Sequence, residues 1–142
     1  MSFDIFAISG DIELGRNGDV ARVTDSDKLA QEVIKLLNTT IGSDPLNPNY
    51  GSLLTSARLG SGIDVDSIVG QTQAILTEAL EQLVQLQEFQ SSFQTLTDAE
   101  TIVGFEPPIV ELDDAEPRQF NVMINALSRD LTPLTIAFVA RF

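Results

Sequence analysis

The sequence predicts an α+β fold: a small antiparallel or mixed sheet, built from an N-terminal hairpin and C-terminal strands, packed on two main helices. Three observations predict it. Pro117–Ala126 and Pro133–Phe142 alternate, with Phe120, Val122, Ile124 and Ala126 on one side of the first and Leu134, Ile136, Phe138, Ala140 and Phe142 on one side of the second; a period of two marks half-buried strands. Two central stretches repeat apolar residues at helical spacing. Asn17-Gly18 between short alternating arms is a strong hairpin signal. At 142 residues and 43% hydrophobic content, residues 1–142 fit one globular domain.

Taken in order, Asp11 to Thr24 reads as the hairpin. A type I′ turn centred on Asn17-Gly18 sets Ile12 against Val23, Leu14 against Ala21, and Glu13 against Arg22 as an opposite-charge pair. Thr24-Asp-Ser-Asp27 supplies oxygen-bearing side chains and negative charge for a helix start. Leu29, Val33, Leu36, Leu37 and Ile41 follow at helical spacing, and Gly42 ends the run. Residues 42–52 form a loop, since their prolines, glycines and asparagines oppose regular structure. A short helical turn is expected from Leu53 to Leu59. Asp64 and Asp66 precede the longest helix, about Ser67 to Phe93. Its stripe is Ile68, Thr72, Ile75, Ala79, Leu83, Leu86 and Gln90, widened by Leu76, Leu80 and Val84; that width suits packing on a sheet better than a coiled-coil seam. Thr97-Asp-Ala-Glu100 matches a capping box and predicts a short helix. Ile109 to Leu112 is a further strand and Asp113 to Pro117 a turn. This order places helices on one face of a small sheet.

Eight basic residues face 21 acidic ones, a formal charge of −13. That disfavours nucleic acid and anionic membranes as primary partners, because both need clustered Lys and Arg. No apolar run reaches membrane-spanning length. Cys and His are absent, which removes disulfides, Cys/His zinc sites and His-based triads. Met1 to Gly10 carries Asp4 and no basic region, so it does not read as a secretion signal, and folding in a cytoplasm is expected. No catalytic, cofactor or metal site is expected: Asp64 and Asp66, or Glu111 with Asp113, Asp114 and Glu116, lack a calcium-loop pattern.

Three stretches resemble the sheath-initiator family of contractile phage tails, the small baseplate wedge protein of T-even-like phages with a counterpart in type VI secretion baseplates. They are the hairpin Gly10 to Thr24 leading into Leu29-Ala-Gln-Glu-Val33, the loop Asp44-Pro-Leu-Asn-Pro-Asn-Tyr-Gly51, and Glu116-Pro-Arg118 before a strand. Together they span roughly residues 10 to 142. The family's Glu-Pro-Arg triplet often follows a helix and an aromatic residue; here that position holds Phe105-Glu-Pro-Pro108. Distance to the C-terminus favours Glu116, the preceding helix favours Glu106, and both stay open.

The resemblance implies a virion protein, assembled in the host cytoplasm, at the inner baseplate around the tail tube or hub. Its C-terminal sheet would imitate the sheath protein, and the first sheath ring would attach by strand exchange. Partners would be the tail sheath protein and baseplate wedge proteins, with no nucleic acid and no membrane. Candidate partner-binding residues are Glu116, Arg118 and Glu106 as charged docking groups, Tyr50 as an anchor, and Val139 and Arg141 on the last strand, opposite its apolar face. The plainer accounts are a solvated turn and a loop tyrosine folded onto the core. A type VI or other injection baseplate component, and a soluble adaptor for one regulatory protein, are the alternatives. A carboxylate-based glycosidase, the activity behind a lysozyme label the family has carried, has no acid in an evident apolar cleft to support it. The sheet is expected to offer its last strand as an open edge.

Overall fold

The computed structural model describes residues 3–8, 11–54, 64–116 and 118–141. The α+β class holds: two main helices lie against antiparallel strands. The C-terminal sheet carries the architecture. Its central strand β7 (Gln119–Ser128) pairs along one side with β8 (Pro133–Arg141), from Gln119 opposite Arg141 to Leu127 opposite Pro133. Along its other side lie, end to end, β5 (Ile102–Phe105) and β6 (Ile109–Leu112). Among the described residues, β8 therefore has a partner on one side only.

The expected alternation is present. Phe120, Val122, Ile124 and Ala126 are buried, as are Ile136 and Ala140, with Leu134 and Phe138 half-buried against them. Phe142 lies outside the described residues. The opposite face of the sheet carries Asn121, Met123, Thr135, Ala137 and Val139 into solvent, the division usual for a sheet covered on one side.

Helix α1 (Asp25–Asn38) places Leu29, Val33, Leu36 and Leu37 in the core at 1% exposure or less. It ends a turn earlier than its spacing suggests. Thr39 leaves the helix in an extended conformation, and its carbonyl accepts the Ser52 N–H at 2.8 Å. Ile41, expected in the stripe, is 41% exposed. Helix α2 (Val65–Ser91) buries Thr72, Leu76, Ala79, Leu80, Leu83 and Gln87. The stripe thus centres nearer Leu76, Leu80 and Leu83 than expected, because the helix lies across β5 and β6 while also touching α1. A single 3₁₀ turn at Asp98–Glu100 follows, where the capping box was expected: the Thr97 N–H donates to Glu100 Oε1 at 2.8 Å. The turn expected from Leu53 to Leu59 falls largely on residues outside the described ones.

The N-terminal hairpin differs in register and in partners. Its strands do not join the C-terminal sheet. β1 (Asp4–Ile5) pairs with β4 (Arg22–Val23), and β2 (Ala7–Ile8) pairs with β3 (Asp11–Ile12). The expected Ile12–Val23 and Glu13–Arg22 pairs are replaced by these contacts, and Leu14 meets Val20 instead of Ala21. The cause lies in the turn. Gly18 takes φ +80 while Asn17 keeps an ordinary φ. The Gly18 N–H donates to Gly15 O at 2.9 Å, and the Gly15 N–H to Asp19 O at 2.7 Å. A tight turn followed by one left-handed glycine makes a three-residue loop, one residue out of phase with a type I′ turn. The preceding segment then adds to both arms: the Phe6 N–H donates to Ala21 O and the Phe6 carbonyl accepts from Glu13 N–H. Gln31 ties this layer to α1, donating to Asp4 Oδ2 at 3.1 Å and Ile5 O at 2.7 Å. Arg22, freed from Glu13, lies over the Phe3 ring at 4.4 Å.

Candidate partner-binding surfaces

The first surface is the open edge of β8. The Ser128 N–H donates to Thr132 O at 3.2 Å, which sets the phase of the β7–β8 ladder. Antiparallel pairs alternate between bonded and non-bonded. With that phase, Leu134, Ile136, Phe138 and Ala140 bond to β7, while the N–H and C=O groups of Thr135, Ala137, Val139 and Arg141 fall on the free side. Pro133, which has no N–H, occupies a non-bonded position opposite Leu127. Val139 is 49% exposed and sits opposite Asn121.

The second surface is the end of the sheet where Glu116, Arg118, Gln119 and Arg141 line one open recess. The structure thus brings together three of the residues singled out from sequence. Arg141 Nε donates to Gln119 Oε1 at 3.2 Å, and Gln119 Nε2 donates to Asp113 Oδ2 at 3.0 Å. Asp113 organises the turn, accepting the Ala115 N–H at 2.8 Å and the Glu116 N–H at 3.3 Å. The Ala115 N–H above all, with help from Glu116 and Gln119, holds the Asp113 carboxyl below its usual range. Glu116 and Arg118 are exposed, and neither has an ion-pair partner among the described residues. Glu106 lies elsewhere, between β5 and β6. Its carboxylate accepts from Asn125 Nδ2 at 3.1 Å, and Asn125 Oδ1 accepts from the Thr135 hydroxyl at 3.0 Å. Glu106 is thus partnered within the outer face of the sheet, whereas the Glu116 side chain is available.

The third surface surrounds Tyr50. The loop before it is pinned by Gly42 N–H to Pro48 O and by Tyr50 N–H to Asn47 O. The Ser52 hydroxyl donates to Leu37 O at 2.7 Å. Tyr50 is half-buried and packs on the core, and it also lines a groove with Phe3, Leu86 and Phe89. Burial first, then the carboxylates of Glu32, Asp4 and Asp44, push its phenol up to about 12.

No family model matches the chain, and no curated protein matches it. A crystal structure from Geobacter sulfurreducens, described as a "putative tail lysozyme", matches it with a TM-score of 0.60 at 17% identity, covering 82% of this chain and 89% of that one. The likeness is one of fold.

Sequence reasoning missed the polar centre of the molecule. Lys28 is 5% exposed and Glu100 1%. Lys28 Nζ lies 3.4 Å from both Glu100 Oε2 and Glu32 Oε1. Gln87, 3% exposed, donates to Glu32 Oε2 at 3.0 Å and to Glu100 O at 2.9 Å, and accepts the Ile102 N–H at 2.8 Å. The available signal was Lys28 one position before Leu29 on the buried side of α1. Among the described residues, no cluster of His, Cys, Asp or Glu is placed to hold a metal ion. Asp64 stands at the N-cap of α2, and Asp113 serves its own turn. No described helix is long and apolar enough to cross a membrane.

Proposed function

We propose that this chain is a structural component of a phage-tail baseplate and that it starts sheath assembly by offering the β8 edge to the first sheath ring. The observation that carries this reading is the unpaired side of β8, with the backbone groups of Thr135, Ala137, Val139 and Arg141 turned outward. An added strand gains main-chain hydrogen bonds there, and alternate side chains fix its register. The shared fold with a protein described as tail-related supports the setting, as does the resemblance of the hairpin, loop and Glu-Pro-Arg stretches. In this reading the partners are the tail sheath protein, baseplate wedge proteins and the tail tube or hub. The recess at Glu116, Arg118 and Arg141 receives a wedge subunit through charge-assisted hydrogen bonds. The role is mechanical: the contact is head-to-tail and propagates. It needs no cofactor and no catalysis, and the protein resides in the virion tail.

The test is nucleation. Substoichiometric amounts of the protein should accelerate polymerisation of recombinant tail sheath protein. Val139→Pro removes one outward N–H from a solvent-exposed position without disturbing the apolar face. It should fold with near-normal stability yet fail to nucleate. Equal polymerisation with and without the wild-type chain overturns the reading, and unfolding of Val139→Pro moves the docking edge away from β8.

The lysozyme description of the structural neighbour supplies a second reading, a carboxylate-based glycosidase. A general acid needs a raised carboxyl pKa. Here the carboxyls with resolved shifts, Asp113 and Asp130, are both lowered, and the buried Glu100 faces Lys28. Peptidoglycan turnover by the purified chain would establish this second reading in place of the first.

A further inference from the structure

We propose that the groove between α1 and the C-terminal half of α2 is a second docking site, one that takes a partner-protein segment carrying an apolar side chain beside a lysine or arginine. The site lies apart from the β8 edge, and the proposal does not depend on the sheath reading. Its apolar walls come from three directions: Leu83, Leu86 and Phe89 from α2, Tyr50 from the loop, and Phe3 from the N-terminal segment. Phe3 is 52% and Phe89 69% exposed. The Phe89 ring is held edge-on against Phe93, with centroids 5.2 Å apart, so an anchor is prepositioned rather than free to collapse. Exposed aromatic surface in a concave setting is characteristic of binding hot spots.

Charge selects the occupant. Asp4, Glu32 and Asp44 line the groove beside Tyr50. Of the lysines among the described lining residues, Lys28 is buried against Glu32 and Glu100 and Lys35 is exposed, while Arg22, outside the lining, stacks over the Phe3 ring. The Tyr50 phenol, raised first by its burial, is raised further by the carboxylates of Glu32, Asp4 and Asp44. A second copy of this chain, itself at −13, would meet like charge, and nucleic acids or anionic lipid surfaces would be repelled. A basic, partly apolar protein segment satisfies both the walls and the field.

The test is a selection of random dodecapeptides on the full-length protein at physiological ionic strength, followed by affinity measurements on variants. Tyr50 fluorescence reports occupancy, since the chain has one Tyr and no Trp. Enriched peptides should place Lys or Arg next to an apolar residue. Their affinity should fall at least about tenfold in the double variant Asp4→Asn/Asp44→Asn and in Phe89→Ala, and stay within about twofold in the control Asp19→Asn/Asp114→Asn, which removes the same charge elsewhere. The asparagines retain acceptors for Gln31 and the Leu46 N–H. Should the double variant lose its native circular dichroism, Asp44→Asn alone and Phe89→Ala carry the comparison. The proposal is overturned by no enrichment, by enrichment of acidic or uncharged peptides, by equal losses in the control, or by full affinity in Phe89→Ala.

Discussion

At the scale of single residues, Gly51 and Tyr50 show how the loop after α1 is built. Gly51 takes φ +122, and a Cβ there would lie 2.4 Å from the Thr39 carbonyl oxygen. Thr39 and Ser52 are hydrogen-bonded across this point, so the backbone cannot retreat without breaking the loop closure. Gly18 also has positive φ, but a Cβ there meets nothing within 4 Å. Gly18→Ala should therefore show only the strain of a left-handed residue, about 1–2 kcal/mol. Gly51→Ala should exceed it, because a backbone clash is added. Urea unfolding of the two variants decides the order. Tyr50 offers a second check. Its phenol is held at about 12, against about 10 in an unfolded chain. The folded state therefore favours the neutral form, and stability that is complete below pH 10 is lost as pH rises from there toward 12. Because Tyr50 is the one tyrosine in the sequence, absorbance of its phenolate reads this directly. A midpoint near 10 in the folded protein would show the ring to be freely solvated.

At the scale of elements, β7 is set between two aspartate-organised turns. Asp113 closes the turn before it. After it, Asp130 accepts from the Ser128 hydroxyl and, at 3.0 Å, from the Thr132 N–H. The Ser128 hydroxyl is the chief reason that the Asp130 carboxyl is held low, as the Ala115 N–H is for Asp113. A lowered folded pKa means that the contribution of each turn is fully present above the unfolded carboxylate value of about 3.9 and is lost as pH falls below it. The protection of the Ala115 and Thr132 amides against exchange, taken relative to their intrinsic rates at each pH, should fall in acid before that of α1 or α2 does. Simultaneous loosening of all elements would show that the turns do not respond locally.

At the scale of the whole molecule, one buried polar cluster joins α1, α2, the 3₁₀ turn and β5 through Lys28, Glu32, Gln87, Glu100 and Ile102. Removing one partner of a buried pair strands the other charge, and Lys28→Ala should destabilise the fold by about 3–5 kcal/mol. Adding Glu100→Gln to that variant should recover part of the loss, since the more buried of the two carboxylates that Lys28 faces is then neutral. Two single losses that merely add in the double variant would show the groups to be uncoupled. The −13 charge acts at this scale too, favouring basic protein surfaces over self-association.

The sequence by itself determined the periodic elements: both main helices, the alternating faces of β7 and β8, β6, and the capping box at Thr97. Period and capping chemistry are local, and burial followed them at Leu29, Val33, Leu36, Phe120, Ile124 and Ile136. Glu116 and Arg118 were singled out through the Glu-Pro-Arg resemblance and Arg141 by its place on the last strand; that they line one recess came from the tertiary structure. Only the tertiary structure decided the rest. β5 is short and is interrupted by Gly104, so it does not declare itself. The hairpin register turned on whether Asn17 or only Gly18 adopts positive φ. Its outer partners came from the segment before it, and pairing between strands depends on contacts that no local period encodes. Lys28 and Gln87 were not singled out from the sequence, and they are buried because other elements converge on them. The Tyr50 groove likewise exists because the loop, the N-terminal segment and both helices meet in space, with their acidic groups on a common rim.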